Sequence, residues 1–483
     1  MRRAAYGLIL SLGLVRLALG LRLGFRPFDD TYITFRYALN LASGFGFVYS
    51  IGEPVLGTTA PLWAMALAAL RLAHVPLELG SLALSLLLDI ATALLLFRLL
   101  VRLGFDCSVG LTAAALFLCW FDYFSLARSG METSCFVFLT IASLDAIASS
   151  RFTRAAVWCA LASLARPEGA LLVVLLLFAL WRERSVVARR ELLVCLALLL
   201  AISGCWAIYA LRTFGSVVPQ SVTAKATIAG DPQLRRFSWQ NLALFFLKGQ
   251  HGGEIFERTY LQLTPVITAL SAVATAALLL DLVRARQEAA RRAMGLLFFP
   301  TFYVGGLGLS HAFTFFPWYY GPIYPFAAAL AMVGVAVLCG EDRRIVYGVC
   351  VLLSSAQLAA AWLVKMPADR SFWVQGYSEV AGIVPRDPAL SVAAPEIGMV
   401  GWRVWPARIL DLEGLVTPDA VGVPAGEYVR TRKPDYLILR TDNGAELLAQ
   451  ASRAPWFGER YELVAARRDP YTEREFRTYG IRR

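Results

Sequence analysis

LGSLALSLLLDIATALLLFRLLVRLGFDC, residues 79–107, begins with about 20 mainly apolar residues and closes on two arginines, Arg98 and Arg102. A helix rises about 1.5 Å per residue, so such a run reaches across a hydrocarbon layer about 30 Å thick. Arginines at its end mark the side on which the chain stays in the cytoplasm. The direction of this one crossing therefore sets the side of every later loop.

Comparable runs lie at 4–24, 108–127, 132–149, 191–212, 259–281, 294–310, 320–339 and 345–364. The stretch 155–181 is broken by Arg166-Pro167-Glu168-Gly169, and proline does not continue a helix comfortably, so it reads as two helices meeting at that turn. Together these make about eleven spans. The run 60–73 is too short to cross and reads as an interfacial helix. Arg2 and Arg3 place the N-terminus inside. Alternation then gathers Arg98, Arg102, Arg151, Arg154, Arg182, Arg184, Arg189, Arg190, Arg284, Arg286, Arg291, Arg292, Arg343 and Arg344 in the inner loops. Counting 60–73 as a span would flip all of them. The run 4–24 reads as the first span, with residues 1–20 as a cleaved leader the rival reading. That rival is the weaker, since Arg16 interrupts the run and Ala18-Leu19-Gly20 is a poor cleavage match.

Composition agrees. Of 483 residues 58% are hydrophobic and 17% charged, with a mean hydropathy of +0.58. A soluble protein carries about 25% charged residues, so this chain could not cover itself with polar surface. The net charge is +11, yet the basic residues punctuate apolar runs and form no tract, RNA-binding motif or zinc pattern that would indicate nucleic acid. The cysteines at 107, 119, 135, 159, 195, 205, 339 and 350 lie in or beside apolar runs without a CxxC, which indicates neither a zinc site nor a disulfide framework. Polar outer segments fall at 25–60, 213–258 and from 365 onward. The last alternates strand-like pieces (390–394, 408–412, 436–440) with turns and helix-compatible runs. The fold class is thus mainly α and polytopic, in the inner (plasma) membrane. A transmembrane module spans 1–364, with interfacial helices in its first outer loop. A small extracytoplasmic α/β domain spans 365–483.

The first outer loop carries Asp29 and Asp30 side by side. Adjacent carboxylates repel, which raises one pKa or binds a cation. Asp30 alone could cap a helix starting at Thr31, whereas capping needs one acceptor and leaves Asp29 unexplained. At outer span ends stand Arg128, Arg166, Lys225 and His311, candidates for holding an anionic group; snorkelling, or pairing with Glu132 and Glu168, would place the arginines equally well. His311 opens an aromatic cluster with Trp318 and Tyr320, readable as an interfacial belt or as a surface for stacking sugar C–H faces.

The order Asp29-Asp30-x-Tyr32-Ile33, Arg36-Tyr37-Ala38-x-Asn40-Leu41, Gly44-x-Gly46-x-Val48-Tyr49, then Gly52-Glu53-x-Val55-x-Gly57-x-Thr59-x-Pro61-Leu62-Trp63 is similar to the opening of integral-membrane GT-C-type glycosyltransferases. It most resembles the terminal arabinofuranosyltransferase branch of bacterial cell-wall enzymes. Weaker echoes follow in order: Ser129 to Thr133, Ala165 to Gly169, Val218 to Lys225, and Ile397-Gly398 through Asp411-x-x-Gly414-Leu415. Many relatives in that branch carry Glu-Gly-Tyr-Thr-Asn where this chain has Leu56-Gly57-Thr58-Thr59-Ala60, which leaves open whether the sugar is arabinofuranose or another pentose or hexose.

The resemblance implies a polyprenyl-phosphate-linked sugar as donor and a glycan, lipid or protein acceptor on the outer face, at the boundary with the membrane lipids. It implies Asp29 as general base and Asp30 as its helper. If a divalent cation takes part, the two would ligate it. It further implies Arg128, Arg166, Lys225, His311 and Tyr320 around the donor phosphate or sugar, and Arg36, Glu53, Thr59 and Trp318 at acceptor or loop positions. A transporter or flippase of lipid-linked sugars is the alternative. Transporters place polar residues near mid-membrane and commonly show repeated halves, and neither feature is evident here.

Overall fold

The computed structural model describes residues 2–184, 187–229, 232–248, 264–284, 292–310, 316–340, 342–360, 372–441, 455–468 and 474–482. Its helices are α1 (Arg2–Leu23), α2 (Asp29–Ala42), α3 (Pro61–Leu72), α4 (Leu77–Arg102), α5 (Cys107–Cys119), α6 (Phe121–Ala127), α7 (Thr133–Ala148), α8 (Phe152–Ala165), α9 (Ala170–Arg182) and α10 (Arg189–Phe214). There follow α11 (Gln220–Ala229), α12 (Pro232–Lys248), α13 (Thr264–Val283), α14 (Phe299–Leu309), α15 (Tyr324–Leu338), α16 (Arg343–Ala360), α17 (Phe372–Ala381), α18 (Gly398–Arg403), α19 (Ala425–Arg432) and α20 (Pro455–Arg460). The strands are β1 (Ser391–Ala394), β2 (Arg408–Asp411), β3 (Tyr436–Arg440), β4 (Tyr461–Arg468) and β5 (Glu475–Ile481).

Among the described residues five helices are long and apolar enough to cross a membrane, or six if α5 and α6, bent by 61°, form one broken span. Several expected spans are shorter or interrupted. The run 108–127 turns at Trp120, whose backbone leaves helical geometry. The run 294–310 is a π turn, Met294–Phe298, followed by α14. The break expected at Arg166 is present, with α8 and α9 joined through a 3₁₀ turn at Pro167–Gly169. Within 60–73 lies the short apolar helix α3, with proline at its first position, where a missing N–H costs no helical bond.

The chain divides into two units. One comprises 1–25, 81–206 and 229–369. Within it α1 packs against α4, where a Cβ on Gly13 or Gly20 would come within 2.7 Å of Ile90 or 2.5 Å of Leu86. Small residues are what allow two helix backbones to approach in lipid. Arg16, the interruption in the first apolar run, is buried on Asp89 of α4 at 2.6 Å and donates to the Leu118 carbonyl at 2.6 Å. Leu82, Leu86, Phe121, Phe124 and Ala127 form an apolar cluster completed by Leu17, Leu19, Leu23 and Phe25.

The second unit comprises 26–80, 207–228 and 370–483. Its sheet has the order β2-β1-β3-β5-β4, with β1 parallel to β2 and β3, and β5 antiparallel to β3 and β4. The three parallel strands are those expected from the sequence. Ala393, Leu410, Val429, Leu437, Leu439 and Phe457 are buried in its core.

Candidate active site

The backbone enters α2 through Phe28, in extended geometry and without a side-chain cap. The helix therefore starts at Asp29, two residues earlier than a cap at Asp30 would require. Asp30 is not the cap, and both acids lie in the first turn, where the helix dipole favours negative charge. The Asp29 carboxylate is held at both oxygens. Oδ2 accepts from the Gly398 amide at 2.7 Å and Oδ1 from the Met399 amide at 2.8 Å. These are the first two residues of α18, whose first-turn amides have no partner within the helix. A Cβ at 398 would stand 1.8 Å from the Asp29 carbonyl oxygen and 2.6 Å from Oδ2, so only glycine allows this approach.

The rest of α2 bolts the contact in place. Arg36 is fully buried and donates to the Tyr49 carbonyl at 2.7 Å, the Ala407 carbonyl at 2.5 Å and the Gly401 carbonyl. Asn40, one helical turn on, donates to the Val48 and Tyr49 carbonyls at 2.9 and 3.0 Å and accepts from the Trp405 indole at 2.9 Å. The Tyr49 hydroxyl donates to the Ile397 carbonyl at 2.6 Å. Arg36, expected at an acceptor or loop position, is a buried tie between main-chain segments. The Arg-Tyr-Ala-x-Asn motif is the reason residues 397–407 meet the start of α2.

Parallel strands bring further charge to the same place. Glu396 follows β1, Asp411 ends β2 with Glu413 two residues on, and Arg440 ends β3. In the order β2-β1-β3-β5-β4 the connection from β1 leads to β2 on one side and the connection from β3 leads to β4 on the other, so the two diverge at the β1/β3 boundary. Open α/β sheets take ligands at the carboxyl ends of such strands. Burial pushes Asp29 up to about 6, opposed by the Met399 and Gly398 amides and by Arg440 and helped by the charge of Asp30. Burial likewise lifts Glu396 well above the usual carboxylate range, with Asp29 and Glu413 adding repulsion and Arg440 opposing. Glu413 is pushed up to about 7 by its surroundings and by Asp411, with Lys225 pulling down; its side chain stays open to solvent, which screens part of this effect. Asp411 is buried and raised to about 6, and its carboxylate accepts from the Glu413 and Val416 amides at 2.9 and 3.0 Å, which marks it as a turn former.

Lys225 is thus brought to the acidic group. Its helix α11 is anchored by the Gln220 amide on the Leu56 carbonyl at 2.7 Å and by the Gln220 side chain on the Gly414 carbonyl at 3.2 Å. Glu53 pairs with Arg408 at 2.5 Å, and Thr59 is half-buried beside α3. The other candidates belong to the first unit. Arg128 donates to the Gly24 and Leu23 carbonyls at 2.9 and 3.0 Å, closing the end of α1. Arg166 lies between Glu132 at 3.2 Å and Glu168 at 3.1 Å, with Tyr319 5.5 Å from its guanidinium. Tyr320 is buried and stacked on Phe245 at 4.0 Å, and Trp318 is stacked on Phe316 at 4.4 Å. His311 lies outside the described residues.

Among the described residues no three His, Cys, Asp or Glu side chains are arranged to hold a metal, and both Asp29 oxygens already accept amides.

The fold extends to known structures along nearly its whole length. ArnT from Cupriavidus metallidurans, crystallised with undecaprenyl phosphate, aligns over 98% of this chain and 97% of its own, with a TM-score of 0.53 at 14% identity. Its apo form aligns over the same shares with a TM-score of 0.54. The chain has a GT-C fold. The mycobacterial arabinofuranosyltransferase AftD aligns over all of this chain and 41% of its own, at 16% identity and a TM-score of 0.46. A family profile described as a domain of unknown function, DUF8728, matches residues 373–479, the part of this GT-C chain that contains the sheet. No curated protein matches the sequence.

Proposed function

We propose that this protein is a membrane glycosyltransferase, with Asp29 as its general base. It takes a sugar from a polyprenyl-phosphate donor and passes it to a hydroxyl of a cell-envelope glycan, lipid or protein on the outer face. The observation that carries this reading is the Asp29 carboxylate, fixed by two main-chain amides at the carboxyl ends of parallel strands. Support comes from the fold, shared with a protein that binds undecaprenyl phosphate.

The chemistry follows from these groups. The acceptor oxygen attacks the anomeric carbon as its proton passes to an Asp29 oxygen. The bond from that carbon to the phosphate oxygen breaks, and polyprenyl phosphate leaves. A base raised to about 6 is ionised at neutral pH, yet basic enough to take a proton from a hydroxyl losing electron density. Glu396 and Glu413 orient the acceptor hydroxyls. Lys225, on the same unit as Asp29, is the cation that meets the leaving phosphate. Asp30 helps by its charge, which raises the basicity of Asp29.

The test is transfer of labelled sugar from a panel of undecaprenyl-phosphate-linked sugars into membrane acceptors. Asp29→Asn keeps the size and removes the base, so transfer falls about 10²–10⁴-fold while the protein inserts and purifies normally. Undiminished transfer would remove Asp29 from the mechanism.

A further inference from the structure

A cavity of about 680 Å³ opens among α1, α4, α7 and α8, at the end of these helices that the arginine distribution assigns to the cytoplasm. It plays no part in the chemistry above. Its wall is apolar, with Leu94 and Leu95 from α4, and Phe138 and Trp158 facing each other at 5.8 Å between ring centres. Its rim is cationic. Arg98 grips the buried Asp145 through both carboxylate oxygens, at 3.1 and 2.6 Å, and Arg102 reaches the same carboxylate at 2.5 Å. Two guanidiniums thus neutralise one carboxylate with a positive charge to spare. Arg151 and Arg154, both exposed and lining the cavity, have no carboxylate partner among the described residues. The first turn of α8 receives no side-chain cap, so its amides add partial positive charge at the same rim.

A slot that is apolar inside and carries surplus arginine charge at its mouth matches one kind of molecule already present in the bilayer. We propose that this cavity is a binding site for an anionic phospholipid of the inner leaflet, with the phosphate among Arg98, Arg151 and Arg154 and an acyl chain along α4 and Trp158. Basic pockets between membrane helices on the cytoplasmic side recognise lipid head groups in this way. A zwitterionic lipid offers the same chains, but its own cation opposes the arginines.

Native mass spectrometry of the intact protein in mild detergent tests this, with dioleoyl phosphatidylglycerol or dioleoyl phosphatidylcholine added. One phosphatidylglycerol is retained by the unmodified protein and phosphatidylcholine is not. The double variant Arg151→Gln/Arg154→Gln leaves the Arg98–Asp145 pair intact and weakens retention about 30-fold, about fivefold per arginine. Ala91→Phe fills the slot without changing charge and abolishes retention of the chain-bearing lipid. Arg189→Gln/Arg190→Gln removes equal charge elsewhere and changes nothing. Equal retention of the two lipids, or unchanged retention in the first double variant, overturns the proposal. Displacement of phosphatidylglycerol by equimolar undecaprenyl phosphate also overturns it, because the cavity would then be a polyprenyl site.

Discussion

Met399→Pro deletes a single N–H, the donor to Asp29 Oδ1 at 2.8 Å. Position 399 is the second residue of α18, where an N–H has no helical partner and proline is tolerated. The preceding residue is Gly398, which has the conformational freedom that a residue before proline needs. A hydrogen bond to a charged group contributes about 1.5–3 kcal/mol, and here it favours the ionised carboxylate. Its loss raises the Asp29 pKa from about 6, because the neutral acid does not use that donor. At about 1.4 kcal/mol per pH unit, the rising limb of the transfer rate moves alkaline by about one pH unit or more. At about pH 6.5 the variant is about 4- to 30-fold slower for the loss of about 1.5–3 kcal/mol, and by about pH 9 the deficit narrows as the base ionises again. The assay is sugar transfer from an undecaprenyl-phosphate donor across about pH 5.5–9. Met399→Ala is the control, since it loses the buried side chain and keeps the N–H. An unmoved limb in Met399→Pro would refute the reasoning, as would an equal displacement in Met399→Ala.

Gly398→Ala places a methyl group within 1.8 Å of the Asp29 carbonyl oxygen, so the carboxylate moves off its amides; transfer drops at least as far as in Met399→Pro, while gel-filtration behaviour is unchanged. Asp89→Ala leaves Arg16 buried without its partner, which costs about 3–5 kcal/mol and lowers the thermal midpoint of the purified protein, whereas Arg16→Met/Asp89→Leu recovers most of it. A cysteine introduced in place of Arg386, an exposed position in the described part of the tail, reacts with an impermeant maleimide on intact cells, and one introduced in place of Arg184 does not; the reverse pattern sinks the topology.

Most helices and the three parallel strands were legible because apolar runs and turn residues are local signals. The start of α2 was not. Asp30 before Thr31 has the form of a cap, but the Gly398 and Met399 amides, far along the chain, claim Asp29 and extend the helix back to it. The buried role of Arg36 was hidden for a related reason. Its partners are main-chain carbonyls, which carry no side-chain signature in the sequence. The grouping of Glu396 and Glu413 with Asp29 was not legible, although Glu396 precedes Ile397-Gly398 and Glu413 precedes Gly414-Leu415. What singles them out is parallel strand order, which a single strand pattern does not contain. The bend after Cys119 and the π turn at Met294 were not legible because they leave hydropathy untouched.

The most direct test of the central claim is a single-turnover measurement with excess purified protein, a labelled undecaprenyl-phosphate sugar and a membrane acceptor extract, counting undecaprenyl phosphate released per sugar transferred. The unmodified protein releases one for each sugar joined to acceptor, and Asp29→Asn releases about 10²–10⁴-fold more slowly. Failure of every such donor to release undecaprenyl phosphate, or equal release by Asp29→Asn, would contradict the account.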